Sequence, residues 1–312
     1  MSVSFHQDEL KIDLPLVRAL VDRDHPELAA LRLREFASTG SSNALFRLGD
    51  ALLVRLPRQP GGSAVIDKEA RWVPLIAPHL PVAVPEIVDV GQPGFGYPER
   101  WSIVRWLDGS APALLDPSSG AEPRRDLAQD LAKFVVAIGE IGVPDRARSD
   151  PDLHWYRGGP LIDRDAPTRR AIESCRSIEG LALDLDQVLH VWDDAMRLPG
   201  VGSTSNPHWY HGDLFAENLL LTEGRLTAIL DFGGLGVGDP TIDLVVAWEV
   251  LDEVARDVFR NDVGCDESSW LRARAWALSL AMITFPYYWQ TMPDRCASKL
   301  AVATAVLADA RL

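Results

Sequence analysis

The sequence is poor in residues that form cross-links and lacks long apolar runs. Its three cysteines, Cys175, Cys265 and Cys296, are scattered and odd in number, so we expect neither a disulfide framework nor a zinc site. The longest apolar run, AWALSLAMITF near residue 280, is too short to cross a bilayer and is typical of a buried helix. The polar, acidic start MSVSFHQDELKIDL does not resemble a secretory signal. These absences argue against a membrane or secreted protein and predict a reduced, cytoplasmic one.

Basic residues are scarce, and lysine is especially rare, with four in the chain. The formal net charge is −14, and it is unevenly spread: residues 1–107 carry −1 and residues 108–312 carry −13. Nucleic-acid binding needs basic patches, so the composition argues against it. The acidic second part favours either a cationic partner or simple solubility, and the composition does not decide between them.

Length and periodicity predict two lobes of different character. The chain has 312 residues, of which 47% are apolar, enough for two cores. After a helix around Asp13 to Arg23, the first third shows three apolar runs separated by turns, then a helix and two more strands, which predicts a β-rich part containing a meander. From residue 108 the pattern is mostly helical, with long helices predicted over RDLAQDLAKFVVAIGEIG, LDLDQVLHVWDDAMRL, TIDLVVAWEVLDEVARDVF and SSWLRARAWALSLAMITF. We therefore predict an α+β fold with a small N-terminal lobe, 1–107, and a larger helical C-terminal lobe, 108–312.

A hairpin is predicted inside the helical part, after the segment HGDLFAENLL at residues 211–220. Two short apolar runs, 219–221 and 226–230, are separated by the turn TEGR, which is typical of a β-hairpin. Folding the chain about this turn would bring Asn218 opposite residue 229 or 230, beside Asp231.

The residues gathered by this hairpin suggest phosphate chemistry. The amide oxygen of Asn218 and the carboxylate of Asp231 are hard ligands that suit Mg²⁺. Asp213 lies on the loop that enters the hairpin. Because it is not needed as a metal ligand, it is a plausible acceptor for a hydroxyl proton. A loop Asp, an Asn five residues later and an Asp that opens DFG form the layout of a phosphotransferase catalytic loop with its metal ligands.

The chain resembles the aminoglycoside phosphotransferase family, within the protein-kinase-like fold. The resemblance is carried by STGSSNALFRLGDALLVRLPR, WSIVRWLDG, HGDLFAENLLL, LDFGGLGVGDPTIDL and Glu69. It implies transfer of the γ-phosphoryl group of ATP or GTP to a hydroxyl of a small molecule, often an antibiotic. The run VRLPRQP…APHLPVAVPE also resembles macrolide phosphotransferases, so the acceptor stays open. A kinase for an amino sugar or amino alcohol, and a nucleotide-binding pseudokinase module, are the alternatives.

The resemblance implies a nucleotide site in the first part of the chain. The turn that contains Ser41, Ser42 and Asn43 would bring backbone N–H groups to the phosphates. The segment SIVRWL, with Val104 and Trp106, would be the hinge that offers backbone groups to the base.

One position departs from the usual kinase pattern. Where a Lys is usual on the third strand, this chain has Arg55, which can bind phosphate and carboxylate bidentately. We expect Arg55 to pair with Glu69 in the following helix, with Lys68 as the alternative phosphate contact.

Other residues are predicted to support the loop. His211 is expected to hold the loop by packing and hydrogen bonding, and Gly212 to allow a tight backbone. In the resembled family an Asp at the place of Asp243 braces the catalytic loop, and Asp239 before Pro240 is predicted to cap a helix.

The acceptor site is the least defined part. The acids Glu249, Asp252 and Glu253 could attract a cationic acceptor, with Trp289 lining the same cleft. A solvated face of an amphipathic helix is the alternative for these acids.

Overall fold

The structure, a computed structural model, describes residues 8–37, 42–113, 124–203 and 207–310. Contacts divide the chain into two compact units. The first contains Met1–Pro78, Ala83–Gly109 and Ala228–Gly233, and the second contains His79–Val82, Ser110–Thr227 and Gly234–Leu312. The first unit therefore takes a short segment from far along the chain, and that segment carries Asp231.

An antiparallel sheet of five strands makes up most of the first unit, in the order β1-β2-β3-β5-β4. Its strands are β1 Leu33–Phe36, β2 Asn43–Leu48, β3 Leu52–Pro57, β4 Ile87–Gly91 and β5 Trp101–Arg105, and its helices are α1 Leu14–Asp24 and α2 Ser63–Ile76. The predicted meander corresponds to β1, β2 and β3. Strands β2 and β3 are joined by a tight turn at Gly49, where φ is +59°, a conformation that glycine adopts without strain.

The core of the first unit lies between α1 and the sheet. Val17, Leu20 and Val21 of α1 pack with Phe46, Leu48, Val54, Leu56, Trp101 and Ile103. Alternate residues of a strand face the same side, so Phe46 and Leu48 reach this core together from β2. Helix α1 starts cleanly because the Asp13 side chain accepts the N–H of Leu16 at 2.9 Å.

The second unit is mainly helical. Its helices are α3 Arg125–Glu140, α4 Asp145–Arg148, α5 Asp165–Cys175, α6 Leu185–Ala195, α7 Val246–Val250, α8 Glu253–Val263, α9 Glu267–Tyr288 and α10 Pro293–Asp309. Helix α9 is the central one: it contacts α5, α6 and α10, and it is apolar on most of its circumference, as a buried helix must be. The α+β fold class predicted from the sequence is confirmed, with a β-rich first unit and a larger helical second unit.

The predicted helix over TIDLVVAWEVLDEVARDVF is wrong as a single element. The structure divides this segment into a 3-10 helix over Pro240–Val245, then α7 and α8. The break lies at Leu251, which is extended with φ −110° and ψ 134°. Asp252 then caps α8 by accepting the N–H of Ala255 at 3.0 Å. An Asp side chain that accepts a backbone N–H in this way stabilises the start of a new helix. The apolar residues of this segment keep a helical spacing throughout, but the segment does not form one continuous helix.

Two short two-stranded sheets flank the loop at residues 211–218. Strand β6 His208–Tyr210 pairs with β9 Gly236–Gly238, and β7 Leu219–Thr222 pairs with β8 Arg225–Ile229. The predicted hairpin is thus present. Its two turn residues have positive φ, +51° at Glu223 and +78° at Gly224, as the common two-residue hairpin turn requires.

Candidate active site

The loop predicted to be catalytic begins where β6 ends, and Gly212 makes its sharp turn. Gly212 has φ +80°, and a side chain there would collide with the carbonyl of Gly234 and the ring of Tyr210. Both facts require glycine at this position. The turn directs the next residue, Asp213, out of the buried loop, so its carboxylate is about one quarter exposed while its neighbours are buried.

Both carboxylate oxygens of Asp213 have donors. Oδ1 accepts from Nη1 of Arg157, and Oδ2 accepts from Nδ2 of Asn218 at 3.2 Å. The same Nδ2 also donates to the backbone carbonyl of Asp213 at 2.8 Å. Asn218 therefore closes the loop on itself, and its amide carbonyl oxygen is turned away from Asp213.

The backbone of the loop is held by a buried carboxylate. Asp243 accepts the N–H of His211 at 2.6 Å and the N–H of Gly212 at 2.7 Å. Burial is the largest influence on this carboxyl group and raises its pKa to about 7, although the two backbone donors act in the opposite direction. This is the contact that the bracing role predicted for Asp243 requires.

His211 is fully buried and faces inward. Its Nδ1 accepts the N–H of Asp213 at 3.2 Å, and its ring lies edge-on to Phe134 with ring centres 6.3 Å apart. Through these two contacts His211 packs against the loop and against α3. Its structural role stays a prediction.

Arg157 is a site residue that sequence reasoning missed. Besides Asp213, it donates to the carbonyl of Gly212 at 2.8 Å, and its guanidinium lies over the ring of Trp155 at 4.4 Å. Burial is the largest influence on its pKa and lowers it, but the charge of Asp213 and further partners outweigh burial, so the pKa is raised. The available signal was weak: an Arg beside two aromatic residues in the segment WYRGG, far from the catalytic motif.

The first unit contains the predicted pair of Arg55 and Glu69. Arg55 on β3 donates Nη2 to Glu69 on α2, and Nε to the hydroxyl of Ser102 at 3.3 Å. Both side chains of the pair are buried. Burial, the largest influence, lowers the pKa of Arg55, but Glu69 and the charge of Asp231 together raise it above its usual value. Arg55 is thus a buried cation with a carboxylate partner and a second carboxylate in electrostatic range.

Asp231 has a strained backbone. Its φ is +56°, which is uncommon outside glycine although Asp tolerates it better than most residues. Its Oδ1 accepts the N–H of Gly233 at 3.1 Å, which stabilises the turn. Strain of this kind concentrates at functional sites. Lys68 donates Nζ to the carbonyl of Gly233 at 2.6 Å, so this lysine supports the same turn.

The predicted hinge residues Val104 and Trp106 lie in β5 and just beyond its end. Val104 lies opposite Leu53 of β3 and Ile87 of β4. The N–H of Trp106 is donated to the carbonyl of Ala51 at 2.9 Å. Val104 and Trp106 stay predicted hinge contacts of the nucleotide base.

The predicted phosphate turn lies partly outside the described residues. Ser41 is not among them. Ser42 is exposed and accepts the N–H of Arg58 at 2.9 Å through its carbonyl. Asn43 is the first residue of β2 and pairs with Pro57.

The four predicted acceptor residues have different environments. Glu249 is buried and ion-paired with Lys299 of α10, and burial raises its pKa against the charge of that lysine. Asp252 caps α8 and also accepts the N–H of Arg124 at 2.9 Å. Glu253 is exposed. The solvated helix face that the sequence offered as the alternative therefore describes Glu253 but not Glu249, because Glu249 is inside the fold.

Trp289 lines an open cavity of about 410 Å³ in the second unit. Its other lining residues are Ser177, Ile178, Glu179, Pro286 and Gln290. None of the three acids proposed with Trp289 lines this cavity, so the cavity itself gives no support for grouping them.

The chain that carries this loop matches a known protein family. Residues 33–276 match the sequence model of the phosphotransferase enzyme family. The chain belongs to this family. It is 36% identical over 263 residues to an aminoglycoside 3'-phosphotransferase of Escherichia coli, covering 75% of this chain and 87% of the relative. The protein is therefore a phosphotransferase enzyme.

Solved structures of phosphotransferases share the fold. The GDP and kanamycin complex of APH(2")-IIia is similar with a TM-score of 0.68 at 18% identity, covering 96% of this chain and 99% of that one. The macrolide 2'-phosphotransferase MphH of Brachybacterium faecium is similar with a TM-score of 0.60 at 20% identity, covering 94% and 98%. At these identities the similarity establishes the protein-kinase-like fold. In the described part of this phosphotransferase, no helix is long and apolar enough to cross a membrane.

Proposed function

We propose that this phosphotransferase moves the γ-phosphoryl group of ATP or GTP to a hydroxyl of an aminoglycoside-type, cationic acceptor. The observation that carries the proposal is the loop at Asp213, where an exposed carboxylate is held at a fixed position by Arg157, Asn218 and the braced backbone. The 36% identity to an aminoglycoside 3'-phosphotransferase supports the acceptor class. Family membership favours an enzyme over a pseudokinase module.

Asp213 is proposed to receive the acceptor hydroxyl. As the acceptor oxygen bonds to the γ-phosphorus, the bond from phosphorus to the nucleoside diphosphate breaks, and the hydroxyl proton passes to the carboxylate. The transition state of phosphoryl transfer is loose, so orienting the hydroxyl matters more than the strength of the base. A carboxylate held by several donors suits that task.

Asn218 and Asp231 are proposed to hold Mg²⁺. The donor set fits this ion, because it offers a carboxylate and an amide carbonyl oxygen, and the Asn218 amide nitrogen is already used within the loop. When bound, Mg²⁺ would neutralise charge on the phosphate oxygens. Arg55, oriented by Glu69, is proposed to bind phosphate, together with backbone N–H groups of Ser41, Ser42 and Asn43.

The acceptor proposal rests on charge and on the relatives. Residues 108–312 carry a net charge of −13, which attracts cations. Glu249, Asp252, Glu253 and Trp289 stay the proposed acceptor contacts. A macrolide is the second candidate, favoured by the structural similarity to a macrolide 2'-phosphotransferase. All three cysteines are free thiols, which is consistent with the cytoplasm as the proposed compartment.

The test is release of nucleoside diphosphate, with and without Mg²⁺, across aminoglycosides, macrolides and amino alcohols. We expect release with an aminoglycoside and its loss on chelation of the metal. Asp213→Asn should lower kcat by roughly 10²–10⁴-fold with nearly unchanged nucleotide affinity. Glu223→Gln, at the exposed tip of the hairpin, is the control and should behave as wild type. Near-native turnover of Asp213→Asn would remove Asp213 from its proposed role.

A further inference from the structure

The geometry points to Arg157 as the positioning residue that selects which oxygen of Asp213 receives the acceptor hydroxyl. This inference rests on the proposed function and deepens it, because it assigns separate tasks to the two carboxylate oxygens. Arg157 would hold Oδ1 permanently, and Oδ2 would be the oxygen that meets the substrate.

The first argument is the way in which Arg157 grips two consecutive residues. Its Nη1 donates both to the carbonyl of Gly212, at 2.8 Å, and to Oδ1 of Asp213. One nitrogen that bridges a backbone carbonyl and the next side chain restricts rotation about the side-chain bonds of Asp213. The carboxylate is thereby held in one orientation relative to the braced backbone.

The second argument is that Arg157 is itself preorganised. Its guanidinium lies over the rings of Trp155 at 4.4 Å and Phe215 at 5.2 Å. Its Nε donates to the hydroxyl of Tyr156 at 3.1 Å. The side chain is only 13% exposed. A planar guanidinium stacked on aromatic faces loses little freedom when it forms a hydrogen bond, so it acts as a fixed part of the site.

The third argument is the unequal strength of the two partners. Oδ1 is bound by a charged donor, whereas Oδ2 is bound by the neutral amide of Asn218 at 3.2 Å. Charge-assisted bonds are about twice as strong as neutral ones. Displacing Arg157 would also leave a buried cation without its counter-ion, which is strongly unfavourable. An incoming hydroxyl therefore meets less resistance at Oδ2.

The chemical step then has one defined geometry. The hydroxyl donates to Oδ2, its oxygen forms the bond to the γ-phosphorus, and the bond from phosphorus to the leaving nucleoside diphosphate breaks. The proton remains on Oδ2 until it is lost to solvent. During this step Oδ1 stays bonded to Arg157.

A purely structural role for Arg157 predicts something different. If the residue only holds the 155–157 segment against the loop, its loss would lower stability without a specific effect on the transfer step. The two roles are separated by kcat measured on folded protein at saturating substrates, and by rescue with a small guanidinium ion.

The variants are Arg157→Ala, Arg157→Lys and, as a matched control, Arg164→Ala. Arg164 also lies over the ring of Tyr156, at 4.6 Å, and within the described residues it has no hydrogen bond to the loop at 211–213. We expect Arg157→Ala to lower kcat about 100-fold while the KM for nucleotide changes less than about threefold. Arg157→Lys should keep an intermediate kcat, because an ammonium group retains the charge but not the planar fork. Arg164→Ala should behave as wild type.

Two measurements are decisive: rescue of Arg157→Ala by free guanidinium ion, and the energetic coupling between Arg157 and Asp213 in the double variant. Guanidinium ion at about 10 mM should raise kcat of Arg157→Ala about tenfold, without effect on Asp213→Asn or on Arg164→Ala. In the Asp213→Asn background, Arg157→Ala should cost little more, because residues that act as a unit are not additive. Unchanged kcat in folded Arg157→Ala, absence of rescue, or additive losses would each overturn the inference.

The outcomes separate this inference from the proposed function. If wild-type protein releases no nucleoside diphosphate with any acceptor class, the proposed function fails. If wild type is active and Asp213→Asn is not, but Arg157 variants keep their kcat, only the inference about Arg157 fails. Should Arg157→Ala not fold, Arg157→Lys decides, since a wild-type kcat in that variant contradicts the need for a guanidinium.

Discussion

At the scale of single residues, Asp243 is a buried carboxylate whose hydrogen-bond donors within the described part of the chain do not include a cation. Its two donors are backbone N–H groups of His211 and Gly212. The pKa of this group is raised from 3.8 to about 7 by burial. The folded state therefore holds a proton that the unfolded chain loses first, so the free energy of unfolding falls as pH rises between about 4 and 7.

We predict that Asp243→Asn removes this pH dependence. The difference between the free energies of unfolding of wild type and variant should decrease by roughly 2–3 kcal/mol between pH 5 and pH 8. The measurement is urea denaturation of both proteins at several pH values. Loss of one backbone bond in the variant shifts its stability by the same amount at every pH and does not affect the comparison. Parallel pH curves would contradict the raised pKa.

Arg55 is the second residue whose chemistry can be tested alone. We predict that Arg55→Ala lowers nucleotide affinity at least tenfold, that Arg55→Lys is intermediate, and that Lys68→Ala has a smaller effect, because Lys68 bonds to the Gly233 carbonyl. Isothermal titration calorimetry with nucleotide and Mg²⁺ measures the affinities.

The Arg55 series needs a folding control, because removal of one partner leaves Glu69 buried without its counter-ion. The double change Arg55→Met with Glu69→Leu avoids this and should fold while still binding nucleotide weakly. A larger loss in Lys68→Ala than in Arg55→Ala would transfer the proposed phosphate contact to Lys68.

At the scale of elements, helix α10 is joined to α7 by a buried ion pair. Lys299 on α10 donates to Glu249 on α7, and both side chains are at least 95% buried. The ammonium group also lies 3.9 Å from the ring centre of Phe215, two residues after Asp213. Helix α10 therefore contacts the loop that carries Asp213 through this lysine.

We predict that Lys299→Met destabilises the protein by about 3–5 kcal/mol, because Glu249 would be left buried without a counter-charge. The double change Lys299→Met with Glu249→Leu should recover most of this loss. Lys133, which is 62% exposed and pairs with Asp130 at 3.5 Å, supplies the control: Lys133→Met should cost less than about 1 kcal/mol. Urea denaturation measures all three. Equal effects of Lys299→Met and Lys133→Met would show that the buried pair contributes no more than an exposed one.

At the scale of the whole molecule, the charge distribution favours capture of cations. Local acids such as Glu249 and Asp130 have basic partners, yet residues 108–312 still carry −13 overall. This surplus acts over distance rather than through single contacts. Its effect is screened over about 8 Å at physiological ionic strength.

We predict that kcat/KM for a multiply cationic acceptor falls several-fold as salt is raised from about 50 to 500 mM, while the KM for nucleotide changes little. A neutral hydroxylated molecule of similar size is the control and should show a flat response and a lower kcat/KM. Preference for the neutral acceptor, with no salt dependence, would leave the acidic surplus as a solubility feature and remove the cationic-acceptor proposal.

The sequence by itself determined the elements whose causes are local. The meander at β1–β3, the hairpin of β7 and β8 and the long helices α3, α6 and α9 follow from periodicity and turn residues within a few positions of each other. The spacing of Asp213, Asn218 and Asp231 likewise predicted a phosphotransferase, the family to which the chain belongs, because these three residues lie within one short segment. Helices α5 and α10 were missed, and Asp252 divided one predicted helix although its capping signal was present in the sequence.

Only the tertiary structure decided which distant residues meet. Arg157 lies 56 positions before Asp213, and Lys299 lies 50 positions after Glu249, so no local pattern links either pair. The position of Val104 inside the sheet likewise depends on β3 and β4, which lie on either side of β5. Turns and helix caps are settled by neighbours along the chain, whereas the partners of a buried charge are settled by packing, which brings together side chains that the sequence keeps far apart.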